Sequence, residues 1–156
     1  MNVSARVQPL IIGIGNPLRS DDGLGWAVVE QLSYDGDMGC DLHTVYQLTP
    51  ELAQWMAAAN FVVIVDANRE GEPGELCIRT VSLSAQPGAV GTHHTTPEEL
   101  AVLTAAIYGQ CPPVVIITMT GVDFGLGECL SAVIARKVPF VSEVVRLVIT
   151  EKDALR

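Results

Sequence analysis

The chain has 156 residues, enough for one compact domain with a substantial core and too few to divide comfortably into two. Nearly half of its residues are hydrophobic, and its formal net charge is −9 with only nine Lys and Arg, so it lacks the clustered positive charge from which phosphate-backbone binding draws its affinity. A nucleic-acid ligand is therefore disfavoured; a small molecule, a cation or a basic partner suits the charge better.

The longest apolar stretches, "FVVIVDA" and "PPVVIITM", are far shorter than the roughly twenty residues of a membrane span, and no basic segment precedes an apolar one at the start. No repeat or low-complexity tract is evident. Cys40, Cys77, Cys111 and Cys129 are scattered without a CxxC pair, which fits a reducing compartment better than a disulfide framework or a zinc site. These features predict one domain over 1–156, cytoplasmic and with no membrane partner.

In chain order, "PLIIGIG" reads as a buried strand ending in glycines, and "DDGLGWAVVEQL" as the helix it feeds, with acidic residues where the helix dipole favours them. "LHTVYQL" is a second strand. In "TPELAQWMAAAN", Thr49 is the expected cap and Pro50 the first helical residue, with Leu52, Trp55, Met56 and Ala59 at helical spacing. "FVVIVDAN" is nearly continuous and β-branched, as a parallel strand covered on both faces should be. "LCIRTVSL" alternates as an edge strand does.

The threonine–proline start recurs in "TTPEELAVLTAAIYG", a helix with Leu100, Leu103 and Ile107 on one face and Gly109 as its stop. "PPVVIITMTG" is the next buried strand. Residues 122–138 carry no clear pattern, and "PFVSEVVRLVITEK" closes the chain as an amphipathic helix with Val141, Val144, Val145 and Val148 on one stripe. Strands alternating with helices predict a three-layer αβα sandwich around a mostly parallel, twisted sheet with an antiparallel edge strand.

In such sheets ligands bind beyond the carboxyl ends of the strands. That edge should collect Asn16, Asp21 and Asp22 after the first strand and Asp66 and Asn68 after the third. Thr92, His93 and His94 should join them from the loop before the third helix, with Thr118 and Thr120 at the end of the next strand. Taken alone, "SDDG" is a helix start in which Ser20 or Asp21 caps, a contribution of roughly 0.5–2 kcal/mol. Asp66 is harder to dismiss, because a carboxylate ending an apolar strand must be hydrogen-bonded, metal-bound or shifted in pKa. Two carboxylates and an imidazole from three chain segments make an O,O,N set that suits nickel or zinc better than magnesium.

Rival motifs fail. Leu18 stands where G-x-G-x-x-G needs its third glycine, no P-loop lysine follows, and no G-x-S-x-G elbow is present. With no visible Ser or Cys triad, attack by water on a polarised carbonyl is the remaining hydrolytic route.

The segments "IIGIGNPLRSDDGLG", "VIVDAN", "GEPGEL", "THHTTPEELAVLTAAIYG" and "ITMTGVDFGLGECLS", which run nearly end to end, resemble the [NiFe]-hydrogenase maturation endopeptidases. The last two are most similar to members that process bidirectional, NAD-linked hydrogenases. The resemblance implies an αβα endopeptidase that removes a C-terminal extension from the hydrogenase large-subunit precursor after nickel insertion. The implied metal-contacting and catalytic positions are Asp22, Asp66 and a histidine of Thr92-His93-His94. Relatives place that histidine directly after Ser or Thr, which favours His93. The resemblance further implies that the nickel belongs to the substrate and that the three ligands read its presence. Two other readings remain: a non-catalytic nickel sensor or chaperone with the same ligands, and a hydrolase like peptidyl-tRNA hydrolase, which shares "GxGNP" but not the acidic "LRSDDGLG".

Overall fold

The computed structural model describes residues 7–84 and 94–155. Its elements alternate as the sequence patterning predicts: β1 (Pro9–Ile14), α1 (Leu24–Tyr34), β2 (Asp41–Val45), α2 (Leu52–Ala58), β3 (Phe61–Asn68), β4 (Leu76–Thr80), α3 (Pro97–Tyr108), β5 (Val114–Thr120) and α4 (Ala132–Thr150). The five strands form one sheet in the order β2-β1-β3-β5-β4. All pairings are parallel except β4 with β5, which makes β4 an antiparallel edge.

Each central strand is apolar on both faces because each face meets a helix layer. On one side Ile11, Val63 and Ile117 pack with Leu24 and Val28 of α1 and Val141 and Val145 of α4. On the other, Leu10, Ile12 and Ile64 pack with Leu52 and Met56 of α2 and Leu100 of α3. Successive residues of a strand therefore serve opposite cores, so a one-residue register slip would exchange them.

The glycines of the first motif let α1 sit directly on the sheet. A Cβ on Gly13 would lie 2.2 Å from the Gly25 carbonyl oxygen, and one on Gly25 2.5 Å from that of Val65. Gly15 has φ 141 and faces the backbone of Asp22, whose carbonyl oxygen would stand 1.8 Å from an added Cβ. These approaches fix where the turn after β1 places its aspartates.

Several local expectations need correction. "SDDG" forms a separate 3-10 turn, Ser20–Gly23, and α1 begins only at Leu24. The second strand is shorter than "LHTVYQL" and stops at Val45. Helix α2 has no side-chain cap; its entry is a tight turn in which the amides of Leu52 and Ala53 donate to the carbonyls of Thr49 and Pro50. Trp55 and Ile107, placed by spacing on apolar faces, are 41% and 60% exposed. Helix α4 starts seven residues before Pro139. The proline is tolerated because it and Ala135, whose carbonyl loses its partner, both lie on the exposed side, where water can replace the missing hydrogen bond.

Helix α3 matches its signature. Thr96 Oγ1 accepts from the Glu99 amide at 3.1 Å, Glu99 Oε2 accepts from the Thr96 amide at 2.8 Å, and Gly109 ends the helix at φ 81.

Candidate functional site

Strand connections leave in opposite directions from β1 and β3: β1 leads to β2 on one side, whereas β3 leads towards β4 and β5 on the other. The carboxyl ends of these adjacent strands form the crevice where an open α/β sheet binds its ligand. Asp22 follows β1 and Asp66 lies near the end of β3. Both line a cavity of about 590 Å³, together with Gln47, Arg79, His94 and Thr118.

The two aspartates are each held by one oxygen. Asp22 Oδ2 accepts from the Asn16 amide at 2.9 Å, and Asp66 Oδ1 from the Ala67 amide at 2.8 Å. Neither second oxygen has a hydrogen bond among the described residues, which leaves each carboxylate a lone-pair face for a cation or a proton. Burial pushes the Asp66 carboxyl up to about 7; the Ala67 amide opposes this and the nearby Asp22 charge adds to it. A carboxyl balanced between its two protonation states near neutrality, beside a second carboxylate in a cavity, is suited to taking or giving a proton or to receiving a cation.

His94 Nδ1 lies 3.2 Å from Gln47 Oε1, which turns this histidine toward the same cavity. Thr92 and His93, the favoured imidazole, lie outside the described residues. Among the described residues no three His, Cys, Asp or Glu side chains form a cluster able to hold a metal ion. The structure thus brings Asp22 and Asp66 into one cavity with His94. Arg79, which no sequence motif singled out, supplies a positive charge there and pairs with Glu98 of α3.

Asp21 has a different role from the cap expected of it. It is fully buried, and its carboxylate accepts from the amides of Val122 (2.7 Å), Asp123 (3.0 Å) and Ser131 (2.7 Å) and from Ser131 Oγ (2.9 Å). Burial alone raises its pKa, but the combined hydrogen bonds hold it below the usual carboxylate range. The residue therefore clamps the loop before α4 to the turn that carries Asp22. Ser20, at φ 52, and Arg19 complete this seam; Ser20 Oγ donates to the Gly125 carbonyl at 2.9 Å, and Arg19 bridges to Gly127.

No protein-family model matches the sequence, and no curated protein is significantly similar to it. Solved structures are. The [NiFe] hydrogenase maturation protease HycI from Thermococcus kodakarensis KOD1 is 26% identical, with a TM-score of 0.74 over 94% of this chain and 95% of its own. The hydrogenase maturating endopeptidase HybD from E. coli is 18% identical, with a TM-score of 0.69 over 95% of this chain and 94% of its own. A hydrogenase 2 maturation peptidase from a Thaumarchaeota archaeon is 22% identical, with a TM-score of 0.68 over 88% and 95%.

Sheet order and layers are those of an αβα sandwich with an acidic crevice at the switch point, and the likeness to these maturation proteases makes the chain a peptide hydrolase. The chain is similar along nearly its whole length to the [NiFe]-hydrogenase maturation proteases.

Proposed function

We propose that this protein removes the C-terminal extension of a [NiFe]-hydrogenase large-subunit precursor after nickel insertion, and that it reads the substrate's nickel through Asp22, Asp66 and His93. The observation that carries this reading is the pair of aspartates in one cavity, each with one oxygen left unbound by the protein. With an imidazole they make the mixed oxygen and nitrogen set that suits a borderline divalent cation. His94, which lines that cavity without clustering with the two aspartates, is the alternative third ligand. The sequence similarity of the late segments to processors of bidirectional, NAD-linked hydrogenases points to a precursor of that type.

On this reading the substrate's nickel anchors the precursor at the carboxylates, which places the scissile bond over the crevice. Asp22, fixed through Asn16, orients the complex. Asp66 takes a proton from the attacking water when it is not committed to the cation; Arg79 is the positive group lining the cavity that can stabilise negative charge developing on the carbonyl oxygen. No nucleophilic Ser or Cys is required. A reaction that needs both the carboxylates and the substrate's metal is silent until nickel is installed.

The test is to mix purified protein with nickel-loaded and nickel-free precursor and follow loss of the extension. Only the loaded form should be cleaved, and Asp22→Ala or Asp66→Ala should reduce its cleavage below detection while the protein stays folded. Equal cleavage of both forms refutes recognition of the substrate metal. Nickel binding without cleavage of either form favours the sensor reading. His93→Ala and His94→Ala, compared in the same assay, identify the third ligand.

A further inference from the structure

The two edges of the sheet are guarded differently. The outer strand β4 lies antiparallel on β5, with Arg79 paired to Glu98 of α3. Strand β2, at the opposite edge, carries no Lys, Arg or Pro between Asp41 and Val45, the devices that commonly blunt an edge. The Val45 carbonyl accepts from the Gly15 amide, so Val45 directs its backbone groups toward β1. By the alternation of a strand, Asp41 and His43 do the same, while Leu42 and Thr44 present theirs to the open side. Among the described residues no strand pairs there.

A cleft accompanies this edge on each face of the sheet. On the α1 side a cavity of about 520 Å³ is lined by Trp26, Glu30, Leu42, Thr44 and Glu128. On the α2 side one of about 580 Å³ is lined by Thr44, Tyr46, Gln47, Glu51 and Trp55. Thr44 borders both, and Tyr46 and Gln47 carry the second cleft into the cavity that holds Asp22 and Asp66. Tyr46 is 63% exposed, with its ring centroid 5.0 Å from that of Trp26, and Trp55 stacks on His43 at 4.3 Å. Neither cleft is lined by a Lys or Arg, whereas Glu30, Glu128 and Glu51 line them.

An open strand edge with a cleft in front and another behind is what an added strand requires: main-chain partners along the edge and separate places for side chains that alternate between the two faces. We infer that the edge of β2 is the docking rail for an extended, basic-residue-bearing segment of the precursor, which pairs with Leu42 and Thr44 and passes by Tyr46 and Gln47 into the aspartate cavity. This rests on the proposed function for the identity of the substrate. The negative clefts select cationic side chains, and the exposed aromatic rings accept their aliphatic stems.

Amide hydrogen exchange tests the rail without requiring cleavage. Nickel-free precursor, added in excess, should slow exchange at Leu42 and Thr44, whose amides face outward. It should leave His43 and Val45, already paired to β1, unchanged. In cleavage of the nickel-loaded precursor, Thr44→Pro removes an outward amide that β1 does not use. It should raise KM about tenfold or more, the loss of one or two main-chain hydrogen bonds, with kcat little changed. Glu30→Lys combined with Glu128→Lys alters only surface charge and should also raise KM, which guards against a folding defect in the proline variant. Unchanged exchange at Leu42 and Thr44, protection of β4 in their place, or an unaltered KM in both variants overturns the rail. Protection of Leu42 and Thr44 combined with failure to cleave even the nickel-loaded precursor keeps the rail and overturns the proposed peptidase activity; absence of both protection and cleavage overturns the two together.

Discussion

Asp21 and Asp22 are consecutive in one turn, yet they inhabit opposite electrostatic worlds. Asp21 is surrounded by four donors from the loop before α4 and is held ionised by them. Asp22 has a single donor and shares its cavity with Asp66, whose carboxyl is pushed up to about 7. A buried carboxylate that is fully bonded supports structure; one left partly bonded beside another carboxylate holds free energy in reserve for a ligand. The contrast separates the clamp from the site by a single peptide bond.

Removing the clamp should have the largest effect on stability. Asp21→Ala leaves three backbone amides and a hydroxyl without their acceptor, and at about 1–3 kcal/mol for a stranded buried donor the total loss is expected to be roughly 3–5 kcal/mol. Urea unfolding of the variant measures it. A loss under about 1 kcal/mol would mean that water replaces the carboxylate freely and that the seam is not a clamp. Asp21→Asn retains only part of the acceptor capacity and should fall between. Processing should decline with Asp21→Ala through instability of the loop, in contrast to Asp22→Ala, which should lose processing while remaining folded.

The opposite sign is expected at Asp66. Its folded pKa of about 7 lies above the ordinary aspartate value of 3.8, so between these values the folded state binds a proton that the unfolded chain has released. Stability from this group is therefore full below about pH 4 and is lost as pH rises through 7. Asp66→Asn removes the cost of ionising a buried group and should stabilise the protein above pH 7 by roughly 2–4 kcal/mol, at about 1.4 kcal/mol per pKa unit, with the gain shrinking toward zero near pH 4. Denaturation of both proteins across that range checks it. A gain that did not depend on pH would assign the effect to packing and remove the basis for the comparison with Asp21.

The sequence exposes Asp66 because a carboxylate that interrupts "FVVIV" is visible without a structure, and the switch-point rule then places it beside Asp22. The partners of Asp21 are about a hundred residues away in a segment with no periodicity, so nothing local distinguishes a clamp from a cap. For α4 the local signal misleads: proline marks a helix start when read alone, and only exposure of its face to water explains why it stands inside one. Trp55 and Ile107 have helical spacing but lie beyond the width of stripe that the sheet can cover. Long strands and their order depend on apolar runs that a sequence displays. Individual polar roles depend on which distant backbone groups arrive.

The same distinction holds at the scale of one hydroxyl, in the two threonine–proline helix starts. Thr96 accepts the Glu99 amide and is bonded back by the Glu99 carboxylate, which satisfies two donors at the start of α3. Thr49 stands before Pro50 in the same sequence pattern, but α2 is entered through backbone turns and no side chain caps it. Thr96→Ala should therefore cost about 1 kcal/mol, the usual value of a lost cap, and Thr49→Ala much less, since the Thr49 hydroxyl bonds only the exposed Glu51 carboxylate. Adding Glu99→Ala to Thr96→Ala should cost little more, because the two halves of a capping box act as one unit; a double-mutant cycle in urea measures their coupling. Equal losses at Thr49 and Thr96 would show that the Thr-Pro pattern acts through the unfolded chain or the local turn, and that a hydrogen-bond partner in the folded state does not separate structural polar groups from idle ones in this protein.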